Sequence, residues 1–276
     1  MTVFVTGATG NVGAEVARAL VEAGEPVRAL VRRESAALPD GATAVVGDLN
    51  LPDTFAAALD GVRGLFLLPG YQNIEQTLAE ARKAGVARVV LLSSSSVDGG
   101  ERSNAVTRYM MESEEAVYAS GLAWTIVRPN AFMSNALRWV PQLRDGDLVR
   151  EPFGDVRAAA IDPYDIGAVA ALALTADGHA GQRYAVTGPE SLLPADRVRI
   201  LGSVLGRSLR FEGQPNDEAR EEMSRNMPTE YVDAFFRFYV DSTLDESPVL
   251  PTVRDVLGRE PRTFAQWAAA HADAFR

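Results

Sequence analysis

Residues Gly7-Ala8-Thr9-Gly10-Asn11-Val12-Gly13 place three glycines between a β-branched run and a helix-forming stretch. A strand that turns into a helix through glycines leaves backbone N–H groups uncovered at the positive end of the helix dipole, where an anion is attracted. Gly7 permits the tight turn, Gly10 lets the backbone approach a pyrophosphate without an intervening Cβ, and Gly13 allows the helix to pack closely on the strand. The chemistry implied is capture of a dinucleotide, with Gly7, Thr9, Gly10, Asn11, Val12 and Gly13 around its phosphates.

The end of the second strand distinguishes the two nicotinamide nucleotides. An acid there hydrogen-bonds the ribose hydroxyls, whereas an arginine accommodates a 2′-phosphate. Here Val31 is followed by Arg32 and Arg33. NADP(H) is therefore expected over NAD(H), with Arg32 reading the phosphate and Arg33 or Ser35 assisting.

These residues need elements to position them. Short β-branched runs at 2–6, 27–31, 44–46, 64–68, 88–93 and 124–128 alternate with helix-length stretches near 11–23, 52–59, 74–84 and 103–119. That alternation is the pattern of βαβ units. It predicts an α/β chain with a Rossmann-type doubly wound parallel sheet over 1–130 and a smaller C-terminal α+β substrate annex over 131–276, with some segments returning to the core. In the annex, helices are expected at 163–174 with Asp162 as N-cap, at 198–205 and at 218–223. The aromatic run 229–240 reads as packing in preference to a substrate lid. Ligands of such sheets bind at the carboxyl ends of the strands, so Leu68, Pro69 and Gly70 with Ser93 and Ser94 are expected beside the nicotinamide.

The glycine loop and residues 122–135 (Leu-Ala-Trp-Thr-Ile-Val-Arg-Pro-Asn-Ala-Phe-Met-Ser-Asn) resemble the NmrA-like branch of the atypical short-chain dehydrogenase/reductases. The closing segment 253–267 is similar as well, so the resemblance covers nearly the whole chain. That branch includes NAD(P)H:quinone oxidoreductases and redox-sensing regulators. The resemblance implies adenine contacts from Asp48 and Leu49, although Asp48 taken alone could cap a turn. It also implies that Pro129 and Asn130 run along the nicotinamide, and that Phe132 and Met133, with Tyr71 and Trp139, line a pocket for a flat apolar substrate.

Typical short-chain dehydrogenases use a Tyr-x-x-x-Lys pair, in which the lysine lowers the tyrosine pKa for proton exchange with substrate. The only lysine is Lys83, with no tyrosine four residues before it. The downstream resemblance puts Val106 and Met110 at the pair's positions. Tyr109 is one residue out of register, about 100° round the helix, and reads as a packing residue. No catalytic acid is identified. Epimerisation and alcohol oxidation need a strong acid/base at the reacting oxygen, but a quinone accepts hydride readily and gives a delocalised anion. The leading expectation is an NADPH-dependent oxidoreductase acting on a quinone or similar planar electron-poor compound. The alternatives are a non-enzymatic NADP(H) sensor and an atypical reductase or isomerase of a biosynthetic pathway.

The chain of 276 residues has no cysteine, two separated histidines (His179 and His271) and a formal net charge of -10. These exclude disulfides, thiolate chemistry and cysteine-ligated zinc and leave no parts for a histidine metal cluster or a Ser-His-Asp triad. The negative charge also opposes nucleic-acid binding. No apolar run is long enough to span a bilayer, and the first strand leads straight into the loop without room for a signal peptide. The expected setting is cytoplasmic, the expected partner a small planar apolar molecule, and the expected state a monomer or homodimer.

Overall fold

Strand β1 (Thr2–Val5) buries Val3 and Val5 in one core cluster and Phe4 in another. Successive side chains of a strand point to opposite faces, so this sheet is covered by helices on both sides. The computed structural model, which describes residues 1–276, shows how. After α1 (Asn11–Glu22) come β2 (Val27–Val31), β3 (Ala42–Val46), β4 (Val62–Leu67), α2 (Ile74–Lys83), β5 (Arg88–Leu92), α3 (Ala105–Ala119) and β6 (Ala123–Pro129). The second half adds α4 (Val140–Asp145), β7 (Leu148–Glu151), α5 (Pro163–Thr175), β8 (Gln182–Val186), α6 (Pro194–Leu205) and β9 (Arg210–Gly213). It ends with α7 (Asn216–Asn226), α8 (Thr229–Tyr239), α9 (Thr252–Leu257) and α10 (Phe264–Ala270).

The main sheet has seven parallel strands in the order β3-β2-β1-β4-β5-β6-β8. One face packs on α1 and α5 through Val12, Val16, Leu20, Ile166 and Val169, the other on α2 and α3 through Leu78 and Val117. The chain runs outward in both directions from the β1/β4 junction, which makes that junction the switch point where a crevice forms. A third core, around Trp139, Val198, Leu201, Phe264 and Trp267, holds the annex together. There β7 pairs in parallel with β9.

The second half contributes directly to the main sheet. Strand β8 pairs with β6, and α5 lies on α1 so closely that a Cβ on Gly167 would stand 2.7 Å from the Glu15 backbone. Asp162 caps α5, its side chain accepting from Tyr164 N at 2.9 Å.

The helix expected at 52–59 is replaced by two short 3₁₀ turns, Pro52–Thr54 and Ala56–Leu59. Phe55 between them has φ −131°, outside the helical region, and its buried ring stacks on Phe4 with centroids 5.6 Å apart. Core packing of one aromatic outweighs the propensity of an alanine-rich segment. No helix is long and apolar enough to cross a membrane.

Candidate functional site

The glycine loop leaves β1 at Thr6 and turns at Gly7, whose φ of +64° suits glycine. A Cβ on Gly7 would stand 2.3 Å from Leu68 Cδ1, and one on Gly13 only 2.2 Å from the Gly7 carbonyl oxygen. Gly10 N donates to Gly7 O at 2.8 Å and closes the turn. Helix α1 then starts with Gly10 as N-cap, no side chain capping it and no acid in its first turn. Its first amides thus have neither a capping oxygen nor a competing carboxylate. That cradle fits a pyrophosphate. Thr9, Gly10 and Asn11 are exposed around it, whereas Val12 sends its side chain into the core, so only its backbone is available.

Arg32 and Arg33 follow β2 directly, both exposed and neither engaged in an ion pair. Ser35 is exposed two residues further on. Asp48 forms a turn, its Oδ1 accepting from Asn50 N at 2.9 Å, and the Leu49 side chain is buried in the core.

Leu68, Pro69 and Gly70 extend beyond β4, with Leu68 N donating to Thr6 Oγ1 at 3.0 Å. Tyr109 of α3 lies against Gly70, its ring 3.2 Å from where a Cβ would be, and meets Tyr231 edge-on. Burial pushes its hydroxyl above the usual phenol range, so it packs as a neutral wall of the cleft.

Two expected cofactor contacts have their side chains engaged elsewhere. Ser93 is buried and donates to Glu114 Oε1 at 2.6 Å, which leaves no hydroxyl proton for a ligand. Asn130 is also buried, and its Nδ2 donates to Glu246 O at 2.9 Å. Pro129 ends β6 with its ring buried, and Ser94 keeps a partly exposed hydroxyl that accepts from Ser96 N.

Glu114, which sequence reasoning missed, organises this end of the sheet. It accepts from Arg128 Nε at 2.8 Å, Ser93 Oγ at 2.6 Å and Tyr118 Oη at 2.6 Å. Arg128 also reaches Asp98. Burial alone would push the Glu114 carboxyl up, but the hydrogen bonds from Arg128, Ser93 and Tyr118 outweigh it and hold it below the usual carboxylate range.

A cavity of about 370 Å³ opens just beyond β6, between Ala131, Asn135 and Arg138 on one side and α6, α7 and α8 on the other. None of the four residues expected to line the substrate pocket reaches it. Tyr71 and Phe132 pack on the two faces of the main sheet, and Met133 and Trp139 are buried in the annex core. The reason is local: Met133–Trp139 is a 3₁₀ helix. Residues three apart in such a helix share a face, so Met133, Ala136 and Trp139 turn inward together while Asn135 and Arg138 face the cavity.

The cavity's polar wall comes from distant segments. Buried Glu246 accepts from Ala131 N at 2.6 Å and Tyr239 Oη at 3.0 Å. Burial pushes the Glu246 carboxyl above its ordinary range, and burial together with Glu246 pushes the Tyr239 hydroxyl well up. Buried Glu151 accepts from Trp139 Nε1 at 2.8 Å and pairs with Arg138. Phe153 holds a left-handed φ of 60°, with its ring against Phe236 and Tyr239. A non-glycine residue in that region is strained, and such strain concentrates at ligand sites. The aromatic run 229–240 thus packs as α8 but also turns Phe235 and Tyr239 to the cavity. Arg197, on the buried stripe of α6, completes the wall. An arginine in an apolar helical stripe was the one signal in the sequence that could have found it.

Comparison with known proteins identifies the family and the fold. Residues 7–177 match the NAD(P)H-binding family. The (4-alkanoyl-5-oxo-2,5-dihydrofuran-3-yl)methyl phosphate reductase of Streptomyces griseus is 41% identical over 279 residues, covering 99% of each chain. The NAD(P)H azoreductase of Xenophilus azovorans is 36% identical over 282 residues, again covering 99% of each chain. In fold, the chain resembles an Escherichia coli NADPH-dependent quinone oxidoreductase solved with NADPH, at a TM-score of 0.78 and 21% identity over 98% of this chain and 99% of that one. With the glycine cradle and the seven-stranded sheet, these likenesses place the chain in the NAD(P)H-binding family, as an NAD(P)H-dependent oxidoreductase.

Proposed function

We propose that the protein uses NADPH to reduce a small planar electron-poor substrate, a quinone or a conjugated acceptor of comparable chemistry, held in the cavity beyond β6. The observation that carries this reading is the position of that cavity, against residues that directly follow β6, on the same carboxyl edge of the sheet as the glycine cradle. Ligands of doubly wound sheets gather at that edge. Its volume of about 370 Å³ is that of a small-molecule pocket.

A bound reduced nicotinamide supplies the hydride. The chain's own residues hold and orient. The first amides of α1 receive the pyrophosphate, Arg32 with Arg33 the 2′-phosphate, and Leu68–Gly70 with Ser94 the nicotinamide half. Phe153, Met223 and Phe235 give the cavity apolar walls for a flat ring and keep water out. Tyr239 keeps its proton on Oη at the cavity wall, hydrogen-bonded to Glu246. Orientation beside the cofactor then replaces the missing Tyr-x-x-x-Lys pair, as suits an acceptor whose reduced form is a stabilised anion. The relatives named for a conjugated dihydrofuranone and for azo compounds support acceptors of this type over alcohols or sugars.

The test is titration with NADPH and NADH, followed by oxidation of the bound nucleotide against quinones, azo compounds and conjugated lactones. NADPH preference and turnover of at least one class are expected. Tight NADPH binding with no turnover of any acceptor overturns the reading, and equal affinity for both nucleotides overturns the cofactor preference.

A further inference from the structure

Arg197 forms no direct ion pair. It stands on the second turn of α6 beside Val198 and Leu201, and only 6% of the residue is exposed. Its Nε is buried without a hydrogen-bond partner, and no carboxylate pairs with the guanidinium. The acids around it are already engaged. Glu151 holds Arg138 and the Trp139 indole, and Glu246 holds the Tyr239 hydroxyl and Ala131 N. Glu222 is exposed and accepts from Gln214 Nε2 at 2.6 Å. An arginine cannot shed its charge at physiological pH, and an unpaired buried charge is costly to the fold. The same guanidinium lines the cavity, with the Trp139 ring 5.9 Å behind it.

We propose that the cavity takes a substrate bearing an oxyanion (carboxylate, sulfonate or phosphate), and that Arg197 is the specificity-determining residue that binds it. A guanidinium presents parallel N–H donors that match two oxygens of such a group, so one anion supplies both the missing direct ion pair and the acceptor for Nε. The planar part of the molecule then lies against Phe153, Met223 and Phe235. The inference rests on the reduction reading only in assigning the anion to the molecule that is reduced.

Calorimetry on the protein with bound NADPH tests it, using naphthalene probes that accept no hydride: 2-naphthoate, naphthalene-2-sulfonate and 2-naphthyl phosphate against neutral 2-naphthol. The anions are expected to bind about 10- to 100-fold more tightly than the naphthol, the range of a hydrogen bond to a charged group, and their ranking identifies the oxyanion. In Arg197→Met the preference disappears, and Arg197→Lys restores part of it. Without ligand, Arg197→Met is expected to melt no lower than the parent protein. Equal binding of anion and naphthol, or a preference that survives Arg197→Met, overturns the proposal. If Arg197→Met does not fold, Arg197→Gln takes its place, and failure of both to fold assigns the guanidinium to the core and likewise overturns it. Binding is read without reduction of any acceptor. Loss of selectivity therefore removes the anion site and leaves the reductase reading standing, whereas selective binding without turnover of any acceptor does the reverse.

Discussion

Two exposed arginines after β2, Arg32 and Arg33, have no acid to neutralise them, on a protein whose net charge is -10. Against the 2′-phosphate, the first of them should make a charge-assisted hydrogen bond. Arg32→Ala is expected to weaken NADPH about 10- to 100-fold and to leave NADH nearly unchanged, as fluorescence titration of both nucleotides would read. Glu114 allows a second prediction. Its folded pKa lies below the ordinary value of 4.5, so its contribution to stability is fully present above that pH and is lost as pH falls through the folded value. Glu114→Gln should cost about 1–3 kcal/mol at neutral pH. It should also flatten the fall of melting temperature with acid below pH 4.5 relative to the parent protein. A variant whose acid limb matched the parent's would show that Glu114 does not drive it.

At the scale of elements, α5 is fastened at its first turn. Asp165 is fully buried, accepting from Arg259 Nη1 at 2.6 Å and Arg262 N at 2.7 Å, which ties α5 to the segment leading into α10. Asp165→Ala removes both acceptors while the partly exposed Arg259 stays solvated, so it is expected to cost about 1–3 kcal/mol in urea unfolding while sparing the nucleotide site. What the sequence made legible follows the range of the forces involved. The glycine loop and the N-cap at Asp162 depend on neighbours within a few residues, and both could be read directly. Strand β8 was not anticipated because Gln182 and Arg183 are exposed at the sheet's edge, where alternation with polar residues hides a strand. The cavity was not anticipated because its polar wall is assembled from Arg197, Tyr239 and Glu246, which no local pattern relates. Asn135 and Arg138 depended on recognising a 3₁₀ helix, a period of three that sequence periodicity rarely shows.

For the whole molecule, the main sheet cannot be completed by residues 1–130 alone. The face built from Val3, Val5 and Val90 is covered by α5, and the β6 edge by β8, both from the second half. A fragment of residues 1–130 is therefore expected to expose an apolar sheet face and to give no cooperative melt by circular dichroism. The intact chain should unfold in a single transition. Two separate calorimetric transitions would show instead that sheet and annex are independent.

The 3₁₀ helix Met133–Trp139 has a consequence for evolvability. Its three-residue period sorts Met133, Ala136 and Trp139 into the core and Asn135 and Arg138 into the cavity. Substitutions at 135 can therefore reshape the cavity wall without opening a void beneath it, whereas at 138 they also strand the buried Glu151 carboxylate. A single-residue insertion within the same stretch would rotate the following side chains by roughly a third of a turn. It would exchange inward and outward positions at once. The wall thus tolerates substitution at its outward-facing Asn135, whereas a change of length would dismantle the annex core.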